Sequence, residues 1–243
     1  MTVTEPREEI LSAKGLVKKF GGVTAVNSVG VSVTRGDVVG IMGPNGSGKT
    51  TLLNLLTGFL RADEGTIIWK GNEIAHESAQ NRARSGMVRT FQQAMVMPGM
   101  TVRENVSASI VAASLSKRVP TTVDGVLEYL GLVPVQNMMA GDLSWGDTRL
   151  LGIGLALTLS PDLLLMDEPF AGLSLTAAER VSSLVMQLKA DGHSLCIVDH
   201  RVAHLLPLCD RLMVLVNGVV LADGLPKDVV ESNDVQAAYL GFS

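Results

Sequence analysis

At 243 residues and 25.7 kDa, the chain can bury a large core and suits one domain with an elaboration. Apolar residues make up 47% and charged residues 18%, which excludes a disordered chain, and a formal charge of −4 gives no footprint for nucleic acid. A mean hydropathy of +0.31 raises the question of a membrane span, yet no stretch approaches the roughly 18 uninterrupted apolar residues that a spanning helix needs.

The longest apolar run, Leu150 to Leu159, is broken by Ser160, Pro161 and Asp162. The excess apolarity is therefore assigned to buried parallel strands and a partner-facing surface. Met1 to Glu9 is acidic and polar, without a basic-then-apolar targeting pattern. Cys196 and Cys209 lie in apolar surroundings and read as inert buried thiols, in keeping with a reducing cytoplasm.

In chain order, Leu11 to Val17, Val29 to Thr34 and Val38 to Met42 read as short strands, with turns at Gly21-Gly22 and Arg35-Gly36-Asp37. The spacing predicts a helix over Thr50 to Thr57, stopped by Gly58, then strands at Gly65 to Trp69 and Gly86 to Phe91. From Ala94 to Asp142 the texture becomes Met-rich and helix-prone, punctuated by Pro98, Pro120 and Pro134, and reads as a helical insertion. Strand and helix then alternate over Leu163 to Met166, Leu175 to Ala190, Leu195 to Val198, Val202 to Leu206 and Leu212 to Val216. Such alternation argues for a parallel α/β sheet. Gly218 turns a hairpin into Val219 to Ala222, and a short helical tail follows Pro226.

Between a predicted strand and a predicted helix stands Gly43-Pro44-Asn45-Gly46-Ser47-Gly48-Lys49-Thr50, followed by Thr51. Backbone amides can wrap a phosphate closely only where side chains are small, and the following helix points its positive end at the same oxygens. Lys49 supplies a point charge for the β- and γ-phosphates, and the Thr50 hydroxyl suits Mg²⁺. This pattern is a P-loop, which says nucleotide but not which nucleotide enzyme.

Asp167-Glu168 closes the apolar run Leu163 to Met166, so both carboxylates emerge at the C-terminal end of a strand, where ligands of open α/β sheets collect. Asp167 is placed to hold Mg²⁺, often through a water, and Glu168 to polarise the attacking water. His200 follows another apolar strand, and an imidazole there can reach the γ-phosphate and orient the water or Glu168. His200 and His204, four residues apart, could share a helix face as zinc ligands, but no third ligand is apparent. Ser144 opens the helical stretch that runs to Leu159 as a natural N-cap, leaving free N–H groups that can hold a phosphate from across an interface.

With Gly43 to Thr50 as Walker A, Leu163 to Glu168 as Walker B and Leu143-Ser144-Trp145-Gly146-Asp147 as signature, the chain resembles the ATP-binding cassette ATPases of ABC transporters over essentially its full length. The resemblance implies a single domain over 1–243. Its P-loop NTPase core has a mostly parallel sheet, an N-terminal antiparallel β-subdomain and a helical subdomain inserted at about 94–158. It also implies that Gln92 touches metal and water and senses the membrane subunit, that Phe20 stacks on adenine, and that His200 is the switch histidine. Ser144 and Gly146 would complete the ATP site of a second cassette in a head-to-tail dimer, and the insertion would dock permease subunits on the inner face of the plasma membrane.

Thr57-Gly58-Phe59, Val88-Arg89-Thr90-Phe91-Gln92 and the tail Ala238-Tyr239-Leu240-Gly241 resemble cassettes for uptake of branched-chain amino acids and related amides. Asp167 to Gly172 with Asp199-His200 is also similar to a lipopolysaccharide-export cassette, which leaves direction open. A cassette ATPase acting on DNA or the ribosome would carry tandem cassettes or a long coiled-coil insertion. The roughly fifty residues from Gln92 to Ser144 hold no heptad pattern.

The chain departs from the family pattern in places. Trp145 stands where Gly is usual, Asp147 where Gln is usual, and Ser174, after Ala171-Gly172-Leu173, where Asp is usual. Trp145 adds bulk where phosphate should approach backbone, and Asp147 would repel a γ-phosphate. The departures fall in the parts offered to a partner, so an asymmetric heterodimer is expected, with a homodimer or a weakly hydrolysing regulatory cassette as alternatives.

Overall fold

The computed structural model describes residues 8–91, 95–113 and 122–240. The chain begins with an antiparallel hairpin of β1 (Glu9–Phe20) and β2 (Val23–Thr34), followed by β3 (Val38–Met42), α1 (Lys49–Thr57), β4 (Glu64–Trp69) and β5 (Asn72–Glu73). The hairpin outruns the apolar stretches that mark it, because pairing continues through the polar partners Lys19 and Thr24 to Phe20 and Val23. With β4 and β5 it forms an antiparallel sheet in the order β2-β1-β4-β5.

Then come α2 (Ala79–Arg84), β6 (Met87–Thr90), α3 (Val102–Ala113), α4 (Val123–Tyr129) and α5 (Trp145–Leu157), with 3-10 turns at Val133–Val135 and Ala140–Asp142. Ala94 and Pro120, where the helical block was expected to begin and to be punctuated, lie outside the described residues. Fully buried Asn105 fixes the approach to α3: its amide donates to the Met97 and Thr101 carbonyls, and its carbonyl accepts from the Met97 N–H at 2.8 Å.

β7 (Leu163–Asp167), α6 (Leu175–Ala190), β8 (Ser194–Val198), α7 (Val202–Leu205), β9 (Arg211–Val216) and β10 (Val219–Gly224) complete a second sheet, and α8 (Pro226–Glu231) and α9 (Asn233–Leu240) form the tail. The strand order is β10-β9-β3-β8-β7-β6, parallel except for β10. Every residue of β3, β7 and β8 is buried, which is why those segments read as unbroken apolar runs. One core fills the space between this sheet, α1 and the antiparallel sheet; the other packs α3 to α6 against the opposite face.

The helix α2 has no apolar periodicity. Ser78 caps it by accepting from the Asn81 N–H at 3.3 Å, and Arg82 anchors it from within. The Arg82 guanidinium is 1% exposed and donates to the carbonyls of Leu55, Leu56 and Ile74 at 2.7–2.8 Å. It thereby satisfies the carbonyls at the negative end of α1.

Candidate functional site

Because β3, β8 and β7 are consecutive neighbours in the sheet, their C-terminal ends bring Gly43, Asp199-His200 and Asp167-Glu168 to one edge. A Cβ on Gly43 would stand 2.1 Å from the Leu215 carbonyl oxygen. One on Gly48, at φ +101°, would stand 2.3 Å from that of Ala25. Neither position admits a side chain, so the loop presents backbone amides. Gly48 is also the N-cap of α1, and no side chain caps that helix, leaving its positive end open to an anion.

Lys49 opens α1, only 5% exposed, and its Nζ donates to the carbonyls of Gly43 at 2.7 Å and Pro44 at 2.8 Å. Burial pulls its ammonium below the ordinary 10.5, against the opposing pull of Glu168, Asp199 and Asp167. Asn45, Gly46, Thr50, Thr51 and Glu168 line the cleft above it. The Ser47 hydroxyl is buried and has no hydrogen-bond partner.

Glu168 follows β7 with φ +45°, a left-handed conformation uncommon for a residue with a side chain. Its N–H donates to the Val198 carbonyl at 2.8 Å, and buried Pro169 and Phe170 hold the chain behind it. His200 Nδ1 lies 3.9 Å from Glu168 Oε1 and 3.7 Å from Asp199 Oδ1. That nitrogen is buried without a hydrogen bond, aligned with the acid but not locked to it. His204, the other histidine of that stretch, stacks on Phe170 with ring centroids 4.7 Å apart.

Asp167 divides its carboxylate. Oδ2 accepts from Arg89 Nη2 at 2.6 Å, while Oδ1 is buried and unpartnered. An orphaned carboxylate oxygen and the exposed Thr50 hydroxyl are the hard oxygen donors that Mg²⁺ prefers, so the residues present fit Mg·ATP.

Sequence reasoning missed three members of this site. Asp199 is fully buried, its Oδ1 accepting from the Arg201 N–H at 2.9 Å. Buried Arg149, on α5, donates to the Phe91 carbonyl at 3.4 Å and is drawn toward Asp199, Asp167 and Glu168, though burial lowers its pKa. Arg89 is the third. Lys49, Arg89 and Arg149 thus balance Asp167, Glu168 and Asp199. Gln92 lies outside the described residues.

Phe20 ends β1 46% exposed, with Lys18 Nζ over its ring 5.7 Å from the centroid. Ser144 caps α5, accepting from the Asp147 N–H at 3.2 Å, and Gly146 is packed so closely on Ala177 that a Cβ would stand 2.8 Å from that methyl. Asp147 Oδ1 accepts from Arg180 Nη1 at 2.7 Å, and Trp145 is 70% exposed. Ser174 caps α6 by accepting from the Ala177 N–H at 3.3 Å, a role Ser and Asp fill equally well.

A phosphate loop between a buried strand and an uncapped helix, faced by an acid pair on a neighbouring strand, defines a P-loop ATPase. The ABC transporter family model matches residues 26–171. The chain is 36% identical to the probable branched-chain amino acid transport ATP-binding protein LivG of Methanocaldococcus jannaschii, over 96% of this chain and 98% of that one. It is 33% identical, at the same coverage, to the high-affinity LivG of Escherichia coli K12. The crystal structure of an ATP-binding cassette of an ABC transporter in its ADP conformation superposes with a TM-score of 0.86, at 36% identity over 96% of this chain and 99% of that one. The chain belongs to the ABC transporter family as an ATP-binding cassette, and it is an ATPase. No helix among the described residues is long and apolar enough to cross a membrane.

Proposed function

We propose that this cassette powers uptake of branched-chain amino acids or related amides, docked on permease subunits at the inner face of the plasma membrane. The relatives named LivG support the substrate class. One observation carries the chemical reading: Glu168 and His200 stand 3.9 Å apart beside the buried Lys49 and its phosphate loop. Lys49 exchanges two loop carbonyls for β- and γ-phosphate oxygens when ATP enters, and the amides of the loop and of α1 take the remaining charge. Glu168 accepts a proton from the attacking water, and His200 orients that pair. Thr50, Asp167 and Gln92 would hold Mg²⁺, which would supply positive charge to offset the negative charge developing on the phosphates. Phe20 supports the adenine.

Glu168→Gln tests the assignment: hydrolysis is expected to fall at least a hundredfold while ATP binding persists. Unchanged turnover removes Glu168 from its role. Radiolabelled leucine uptake by cells lacking the gene tests the substrate class, and unimpaired uptake overturns it.

The partner is a second cassette that differs from this chain. Asp147 accepts from the Ser144 hydroxyl and from Arg180, which consumes the side-chain proton and the nearby cation that an incoming phosphate would use. The site this chain completes for its partner is the weaker of two.

A further inference from the structure

Resting on the Mg·ATP reading, we propose that Arg89 is a positioning residue. It aims Asp167 at the metal and ties that aim to an aromatic pair, exposed Phe59 and half-buried Phe91. Arg89 lies on β6, paired in register with Leu165 of β7, two residues before Asp167. Its side chain and that of Asp167 are each 7% exposed, and Nη2 donates to Oδ2 at 2.6 Å. Nη1 donates to Asn54 Oδ1 at 2.5 Å, so the same guanidinium also grips α1, the helix that carries Lys49 and Thr50.

A buried ion pair is weak as a stabilising device, because desolvation of both charges offsets much of their attraction. Positioning is a better account of this one. It occupies one carboxylate oxygen and leaves the other, buried and unpartnered, as the oxygen for a cation. The Arg89 fork cannot rotate without surrendering Asp167, Asn54 or both.

The guanidinium is not saturated by hydrogen bonds, since Nε is buried without one. Two rings hold it instead: its central carbon lies 5.1 Å from the Phe91 centroid and 5.7 Å from that of Phe59. The rings meet edge to face with centroids 5.4 Å apart, and Phe59 is 53% exposed. Phe91 and Arg89 also line an apolar cleft against α5, with Ile153 and Ala156 on its far wall. Whatever displaces these rings displaces Arg89, and Asp167 with it.

The test uses the full chain with Mn²⁺ as probe, titrated by electron paramagnetic resonance with a non-hydrolysable ATP analogue bound. Nucleotide binding is measured separately in EDTA. Arg89→Lys keeps the charge and loses the fork, and is expected to raise the Mn²⁺ midpoint about tenfold. Phe59→Ala touches neither Asp167 nor the nucleotide, and is expected to raise it about threefold. Phe59→Ala should leave binding in EDTA unchanged, and the Arg89→Lys midpoint is judged as the loss of Mn²⁺ affinity beyond any change in EDTA. An unchanged midpoint in Arg89→Lys overturns the proposal, and an unchanged midpoint in Phe59→Ala alone overturns its aromatic half. A wild-type chain that binds no nucleotide in EDTA or with Mn²⁺ overturns the ATP reading itself, and this inference with it.

Discussion

The Ser144 hydroxyl donates to Asp147 Oδ2 at 2.6 Å, within the same first turn of α5 that a phosphate from another cassette would approach. The Asp147 carboxylate holds that place from inside the chain, and Arg180 neutralises it through Oδ1. In a Glu168→Gln background, where ATP persists, adding Trp145→Gly and Asp147→Gln is expected to tighten ATP-dependent self-association at least about tenfold, or about 1.4 kcal/mol. Sedimentation with and without Mg·ATP measures it. Equal association before and after the two changes would sink the idea that this face is poor at holding phosphate.

Lys49 gives a pH dependence of definite sign. Its folded-state pKa lies below the ordinary 10.5, so the folded chain releases this proton before the unfolded chain does. Stability therefore carries the cost of a buried charge at neutral pH, and the cost vanishes as pH rises through the folded value toward 10.5. The stability of Lys49→Met relative to wild type, without nucleotide, is expected to fall as pH rises from 7 toward 10, on top of a constant loss from the Gly43 and Pro44 carbonyls that Lys49 served. Nucleotide binding runs the other way: phosphate favours the ammonium, so wild-type affinity falls as pH rises through the same window, and Lys49→Met loses that slope. Urea melts and nucleotide titrations across pH 7 to 10 check both, and a slope retained in Lys49→Met overturns the assignment.

How much of this was legible depends on whether the cause was local. The phosphate loop, the acid pair and the buried strands are contiguous, and their residues state their own chemistry. Asp147 and Arg180 are 33 residues apart, and Arg89 and Asp167 are 78 apart. A lone arginine in a short strand gives no sign that it turns inward, because the carboxylate that draws it arrives on another strand. The helix α2 was invisible for a related reason. Its sequence Ala-Gln-Asn-Arg-Ala-Arg has no apolar face, and its anchor is a guanidinium buried against another helix.

That anchor is a stability prediction. Arg82→Met fills the space but removes the side-chain donor to the Leu55, Leu56 and Ile74 carbonyls. The Gly58 and Glu77 N–H groups still donate to Leu55 and Ile74, so the Leu56 carbonyl is the one left orphaned. One orphaned buried carbonyl costs about 1–3 kcal/mol, and the two weakened ones add to it, so a loss of about 2 kcal/mol is expected. Arg82→Lys, a point charge with no planar fork, recovers less than half. Chemical denaturation measures both, and a loss below 1 kcal/mol in Arg82→Met would show that α1 does not need this cap.

The two thiols offer a direct readout of how nucleotide binding stabilises the fold. Cys196 lies in β8, three residues before Asp199, and Cys209 packs so closely on β3 that a Cβ on Gly40 would stand 2.6 Å from its sulfur. Burial pushes both thiols up to about 12, which leaves roughly one in ten thousand as thiolate at pH 8 even before access is considered. Alkylation by iodoacetamide must therefore await an opening that separates β8 and β9 from β3, the strand that delivers the phosphate loop. Where closing outpaces alkylation, the labelling rate follows the population of the open form. A ligand bound only to the closed form slows labelling by one plus its concentration over Kd, so Mg·ATP at a hundred times Kd is expected to slow it about a hundredfold. Mass spectrometry of both cysteines over time checks this in the Glu168→Gln protein. Labelling that is fast in the native chain, or that is indifferent to Mg·ATP, would show that the thiols are reached without disturbing the nucleotide site.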